Sequence, residues 1–572
     1  MSPTVTRRSR LSLAYRTLIA KRYRNTLHEK HVANRDEKYF EKRGQTGIMS
    51  FTKGLEHNAD GSVKAEDFKA LRRAIDDGEI AQFASVPTSA SKKRKWEAPT
   101  AGFVMDPQGP DAQAITMPPA PALNEKDGTF NELVYELAEV YELALLRDVP
   151  FTDFEEGNTN GPVSKATKRL NRLDYGKGRS AFSGRPRKVV KRKLTEGTVF
   201  RGSSYGVDVG PYLSCFMLMG NGDVKEGQIT YGNQTINQRV REAKTQDYMI
   251  KQDDWLNVQN GADTRKNQTL FNGSNVRFIH TPRDLATYVH DDALYQAYLN
   301  AALILLGTRE PLFDPAFDQY WDGPETTGFA LWGGPHILSL VTEVATRALK
   351  AVRWQKFNVH LRLRPETLAG RVVHARSHGT DFVNFKKALG RRLLSAVRDH
   401  NVKMGGEDKP WLPMAFQEGS PMHPTYGAGH ATVAGACVTV LKSFFNTTAE
   451  LRDYNGAVGF RVDRKGTPVE IVSVDNGEKL DVRPTKTPLT LLGELNKLAA
   501  NISIGRNMAG VHYFSDYFDS VRMGERIAEG IMRDQADGYL EDFEMTYVPF
   551  DERPNRFHSN VSIVRDTPDQ TS

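Results

Sequence analysis

Only two cysteines, Cys215 and Cys437, occur in 572 residues. That excludes a disulfide framework and leaves at most one bridge, within or between chains. Apolar runs are short: none approaches the roughly eighteen consecutive residues that mark a membrane-spanning helix. The basic first thirty residues are not followed by the apolar core of an export signal. A soluble chain, cytoplasmic by default, is therefore expected. Gly/Ser or Pro-type linkers are also missing after residue 128, so 128–572 reads as one large helical domain. Residues 1–127 read as an irregular N-terminal arm with extensions. Within them 83–126, rich in Ala, Pro and Ser and without periodicity, fits an arm that lies across neighbouring subunits.

Hydrophobic residues make up 39% and charged residues 26% of the chain, enough apolar material for a core. Helical periodicity dominates. Between Asn131 and Arg147, Glu132, Glu136, Glu139 and Glu142 fall on one face and Leu133, Leu137, Val140 and Ala144 on the other, which predicts an amphipathic helix. Similar patterns run over Asp284–Leu306, Pro335–Lys356, Asp381–His400, Gly429–Phe445, Thr490–Ile504 and Tyr517–Arg533. Strand-like pieces are few: Ala457–Val462, Val469–Val474 and Glu544–Pro549, the second followed by an Asp475-Asn-Gly477 turn that predicts a small hairpin. The expected class is mainly α.

The formal charge is +7. Basic residues crowd the first thirty positions and again 165–193, where Lys165, Lys168, Arg169, Arg172, Arg185, Arg187, Lys188, Lys191, Arg192 and Lys193 occur. These runs carry no nucleic-acid recognition motif. Subunit contacts or solvated surface explain them as well, and nucleic acid is not an expected partner.

Three segments carry chemistry. Lys356 is followed eight positions on by Arg364 and then Pro365; His423-Pro-Thr-Tyr-Gly-Ala428-Gly429-His430 runs into an apolar helical pattern; Arg506 precedes His512 and Asp516. Guanidinium forks and an ammonium are the side chains that neutralise a multiply charged anion. Glycine before a helix start lets free backbone N–H groups approach such an anion. His512 and Asp516 share a helix face at i, i+4, so a carboxylate can fix which imidazole nitrogen is free. Together the segments describe a pocket for a tetrahedral oxyanion.

In these residues the chain resembles the vanadium-dependent haloperoxidases, which share a helical fold and an anion site with the type 2 phosphatidic acid phosphatases and bacterial acid phosphatases. Met414 through Cys437 and Ile504 through Asp516 look like the red-algal and cyanobacterial bromoperoxidase branch, and the likeness runs from about Asp291 to Arg533. It implies two helical bundles and vanadate as cofactor. Lys356, Arg364 and Arg506 would hold vanadate oxygens with Ala428, Gly429 and His430 beside them, and His512 would bond vanadium. Asp516, or a backbone carbonyl, would hold the other nitrogen of His512. His430 would act as acid/base toward hydrogen peroxide with a pKa near neutrality. Lys356, Arg353 and His423 complete the expected catalytic set, the last two at the halide end. Bromide and iodide are the expected halides, organic molecules the halogen acceptors, and a homo-oligomer, a dodecamer built from dimers, the expected assembly. A structural calcium is a further expectation at Phe317, Gln319 and Asp322.

One position departs from the resemblance. Where the family usually carries Ser-Gly-His, this chain has Ala428-Gly429-His430, so a hydroxyl donor to the oxyanion is missing and the site should be weakened. The alternative on chemistry alone is a phosphatase, in which the same cage holds a phosphoryl group and His512 attacks phosphorus while His430 protonates the leaving oxygen.

Overall fold

Two helices approach closely enough to exclude side chains between them. A Cβ at Gly435 in the Gly429–Phe444 helix would stand 1.9 Å from the Val521 carbonyl oxygen, and one at Gly524 in the Phe514–Ala536 helix 1.9 Å from the Thr432 carbonyl oxygen. Only glycine permits that crossing. The chain, seen here as a computed structural model, is described over residues 3–24, 30–155, 157, 159–173, 184–221, 224–267, 270–307, 313–321, 323–449, 467–539, 544–551 and 561–564.

The Gly429–Phe444 helix is buried all round from Ala431 onward, and every residue of the Leu491–Met508 helix is buried. Helices that are apolar or internally paired on all faces belong at the centre of a bundle. The Gly334–Trp354 and Phe514–Ala536 helices pack around them. Among the described residues the strands form only two-stranded antiparallel pairs. Val469–Val474 pairs with Lys479–Pro484, Val474 opposite Lys479, across the expected Asp475-Asn476-Gly477 turn, whose three φ angles are positive. The Glu544–Tyr547 strand pairs with Val561–Val564, and the expected strand at Ala457–Val462 lies outside the described residues.

Several expected helices are divided. The 284–306 pattern becomes Pro282–Asp291 and Gln296–Leu306, separated where Asp292 turns extended at ψ 147°. The 381–400 pattern becomes Thr380–Leu389 and Arg391–Lys403, because Gly390 adopts φ 82°. A period carries no information about a single residue that leaves the helix.

Residues 1–127 are less irregular than expected. They contain the helices Pro3–Arg24, Asp36–Glu41 and Ala65–Asp77, the last burying Phe68, Leu71, Ala74 and Ile75 on one face. Arg22 ties the first helix to Asp537 at 2.6 Å.

The acidic face of the Phe130–Leu145 helix does not meet solvent. Glu132, Glu136, Glu139 and Glu142 are all buried. They pair with Arg185 at 3.2 Å, Arg362 at 2.9 Å, Arg187 at 2.7 Å and Arg169 at 2.6 Å. Three of the cations in the 165–193 run are thus turned inward. Removing one partner of such a buried pair costs about 3–5 kcal/mol because the other charge stays behind. Both cysteines are buried and free. Among the described residues no helix is long and apolar enough to cross a membrane.

The glycine crossing gives a direct test. Gly524→Ala is expected to lose about 3 kcal/mol in denaturant unfolding, the upper range for overpacking, since backbone must move. A loss below about 0.5 kcal/mol, the scatter of neutral surface changes, would contradict the close approach.

Candidate active site

Most of the site residues lie at or near the ends of helices, while His423 and His512 lie in the irregular segments that precede them. The Gly334–Trp354 helix widens into a π turn, Gln355–His360, which carries Lys356; Leu361 then closes it at φ 41°. Arg364 is the residue before the next helix, with Pro365 at its first position, where a missing N–H is harmless. Arg506 lies in the last turn of the Leu491–Met508 helix. Asp516 caps the Phe514 helix, its Oδ2 accepting from the Tyr513 N–H at 3.0 Å. Ala428 stands before Gly429 at the start of the helix that contains His430 and gives no side-chain cap.

These ends converge. Arg364 donates through one terminal nitrogen to Nε2 of His512 at 3.2 Å and through the other to Nδ1 of His423 at 2.8 Å. Its Nε donates to the His423 carbonyl at 2.9 Å. The Lys356 ammonium donates to the carbonyls of Pro424 and Thr425 at 2.8 and 2.9 Å, and Arg506 donates to the Val289 carbonyl at 2.8 Å. Neutral carbonyls hold these cations in place without cancelling their charge. Burial, with the neighbouring cations adding to it, pushes the Lys356 pKa well down. Burial also lowers Arg364 to about 9 and Arg353 to about 10. Among the described residues Nε of Arg506 and a terminal nitrogen of Arg353 are buried without a partner.

His512 is set up as a neutral ligand. Its Nδ1 donates to Oδ2 of Asp516 at 2.8 Å, so of the two holders expected, the carboxylate holds it. The Thr425 hydroxyl donates to the same carboxylate and lies 3.0 Å from Nδ1. Burial, followed by Arg364, Lys356 and Arg506, pushes the imidazole pKa well below its ordinary value. The lone pair therefore sits on Nε2, facing the cations.

His430 is acted on from two directions. Burial lowers its pKa below the ordinary value of 6.5, while Asp292, accepting from Nε2 at 3.0 Å, works in the other direction. The ring contacts Asp292 through Nε2, and among the described residues Nδ1 has no hydrogen-bond partner. Asp292 itself, despite burial, is held below the usual carboxylate range by His430 and Arg506. His423 meets Glu97, with 3.5 Å between Nε2 and Oε2.

Arg364, His423 and His512 are thus joined directly, and Lys356 reaches them through the Pro424 and Thr425 carbonyls. Four partners were not visible in sequence: Asp292, Arg362, Thr425 and the pair Lys53/Arg94. Arg362 bridges Oδ1 of Asp516 and Glu136, both at 2.9 Å. Lys53 and Arg94 donate to the carbonyls of Glu418 and Ser420 at 2.6–3.1 Å and so fix the strand of chain leading to His423. A third cation beside Arg364 and an acid just past a helix end were the only signals, and neither is distinctive. The calcium expectation finds no support: the Phe317 ring stacks on Phe444 in the core, Asp322 and the Gln319 side chain lie outside the described residues, and among those described no group of three acids, histidines or cysteines is placed to hold a metal.

The donor set discriminates between ligands. A bare metal cation is repelled by Lys356, Arg353, Arg364 and Arg506, whereas an oxyanion satisfies their free N–H groups and the N–H of Gly429 at the helix start. These residues fit an oxyanion such as vanadate, which Lys356, Arg364, Arg506 and His512 would hold.

The family description "VCPO second helical-bundle domain" matches residues 338–539, the stretch that includes Arg353, Lys356, Arg364, His423, His430, Arg506 and His512. The vanadium-dependent bromoperoxidase of Corallina officinalis is 40% identical, the alignment covering 88% of this chain and 90% of that protein. The Corallina pilulifera enzyme of the same name is 41% identical over the same shares. A solved structure, the homohexameric second vanadate-dependent bromoperoxidase of Ascophyllum nodosum, superposes with a TM-score of 0.80 at 26% identity, covering 96% of this chain and 90% of that one.

The Asp292 contact makes a pH prediction. Because the carboxylate favours protonated His430, Asp292→Asn should move the NMR titration of the His430 ring to still lower pH. Titration unchanged, or moved toward 6.5, would contradict the pairing.

Proposed function

The chain belongs to the vanadium-dependent bromoperoxidases, and we propose that it holds vanadate through His512, Lys356, Arg364, Arg506 and the Gly429 N–H to oxidise bromide and iodide with hydrogen peroxide. The product is hypohalous acid or an equivalent that halogenates organic acceptors. The observation that supports the reading most is a neutral imidazole lone pair facing buried cations whose nearest hydrogen-bond partners are carbonyls and histidine nitrogens, a donor set that an oxyanion would complete.

Bound vanadate supplies a Lewis acid of fixed oxidation state that draws charge from peroxide oxygen. The rest is done by the chain. Asp516 keeps the proton of His512 on Nδ1, so Nε2 stays available as a ligand, and Arg362 holds Asp516 in place. Nδ1 of His430 takes a proton from incoming hydrogen peroxide, and Asp292 stabilises the imidazolium that results. Lys356, fixed by two carbonyls, donates to the oxygen that the halide attacks. Arg353 and His423 form the side from which the halide arrives. Residues 128–572 act as the catalytic domain, and residues 1–127 wrap over it with their outer surface facing neighbouring subunits. The assembly is a homo-oligomer; a hexamer like that of the Ascophyllum relative and a dodecamer built from dimers differ twofold in mass, which light scattering resolves.

Bromination of a phenol dye with peroxide, bromide and added vanadate tests the activity. Release of nitrophenol from its phosphate without vanadium, and no bromination, would replace this reading with the phosphatase.

Ala428 generates a second prediction. A hydroxyl donated to a charged group is worth about 1.5–3 kcal/mol, so Ala428→Ser should tighten vanadate binding about ten- to a hundredfold. The same hydroxyl accepts from the helix N-terminus, adding about 1 kcal/mol to folding stability. Unchanged vanadate affinity with raised stability would show a cap and no contact to the anion.

A further inference from the structure

We propose that Glu97 is a specificity-determining residue: a carboxylate that acts as a built-in competing anion and must yield the Arg353 and His423 side of the pocket to the incoming halide. The proposal rests on the reading that halide arrives past those two residues.

The acids around the pocket fall into two kinds. Asp292, Asp516, Glu366 and Glu418 have side chains no more than 3% exposed and are tied to His430, to His512 and Arg362, to Lys53, and to His290. Glu97 has a side chain 43% exposed and only loose partners: His423 at 3.5 Å and Arg94 at 3.6 Å. Its Oε1 takes a long 3.4 Å bond from the Met422 N–H, while its own N–H donates to the Met422 carbonyl at 3.0 Å. The backbone is therefore anchored beside His423 and the carboxylate is free to swing.

Its charge nevertheless reaches the whole site. It favours the protonated state of Arg353, Arg364 and Arg506, opposing the effect of burial on each. For Arg353 it is the one charged group that does so, and a terminal nitrogen of Arg353 is buried without a partner among the described residues. A cationic mouth that already faces a carboxylate attracts a monovalent anion less strongly. Hydrogen peroxide is neutral and does not feel that charge. The residue thus separates the two co-substrates: it sets the concentration of halide needed and leaves peroxide alone.

Glu97→Gln keeps the size and the acceptor for Met422 and removes the charge. In vanadate-loaded enzyme of equal metal content, the KM for bromide should fall about three- to tenfold at low ionic strength, with kcat and the KM for peroxide changing less than twofold. The gain should shrink at high ionic strength, and Glu97→Asp should behave as the parent. In the vanadate-free chain, bromide should raise the thermal midpoint of Glu97→Gln more than that of the parent. A bromide KM that stays or rises, or a peroxide KM that falls with it, overturns the proposal. Arg353→Gln separates the two levels: a raised bromide KM there with no effect at Glu97 removes only the role of Glu97, whereas no effect at either position removes the halide path as well.

Discussion

Buried positive charge without matching negative charge is the constraint on which this molecule is arranged. Lys356, Arg364 and Arg506 donate to carbonyl oxygens or histidine nitrogens, and among the described residues Nε of Arg506 and a terminal nitrogen of Arg353 have no partner. Carbonyl dipoles satisfy the geometry of these donors, and carboxylates further off, Asp516, Glu366, Asp292 and Glu97 among them, oppose the effect of burial only in part. Such a cluster is unfavourable in the ligand-free chain. It becomes favourable when an oxyanion completes it, so part of the folding free energy is traded for affinity at one place.

The supports around the cluster explain why it does not collapse. His512 is fixed by Asp516, Asp516 by Arg362, and Arg362 by Glu136 on the Phe130 helix, each step at 2.8–2.9 Å. The same helix takes Arg185, Arg187 and Arg169 along its remaining acids. An apparent solvent face is therefore an internal ladder that joins the N-terminal half to the site. The glycine crossing at Gly435 and Gly524 brings the helix bearing His430 against the one capped by Asp516. From the other direction, Lys53 and Arg94 draw the N-terminal segment over the chain before His423.

Much of the helical architecture was legible because burial imposes a period, and the seven helical stretches read from it correspond to helices. Breaks were not legible at Asp292 or Gly390, since one residue's dihedral angles leave no periodic trace. The oxyanion residues were legible because so many cations and histidines at those spacings have few other uses. Their partners were not. Asp292 and Arg362 are single charged residues at helix ends, of a type that is ordinarily solvated, and only the tertiary arrangement distinguishes them. The acidic stripe of Glu132, Glu136, Glu139 and Glu142 was misleading for the same reason: periodicity locates a polar face and cannot say whether water or arginine covers it. The downward pull of burial on His430, against the carboxylate beside it, is likewise something a sequence does not display.

The most direct measurement is a crystal structure of the chain soaked in orthovanadate. The account requires tetrahedral or five-coordinate density continuous with Nε2 of His512, with its oxygens within hydrogen-bonding distance of Lys356, Arg364 and Arg506. Vanadium bonded through Nδ1, or lodged elsewhere while those cations keep only their carbonyl partners, would contradict it.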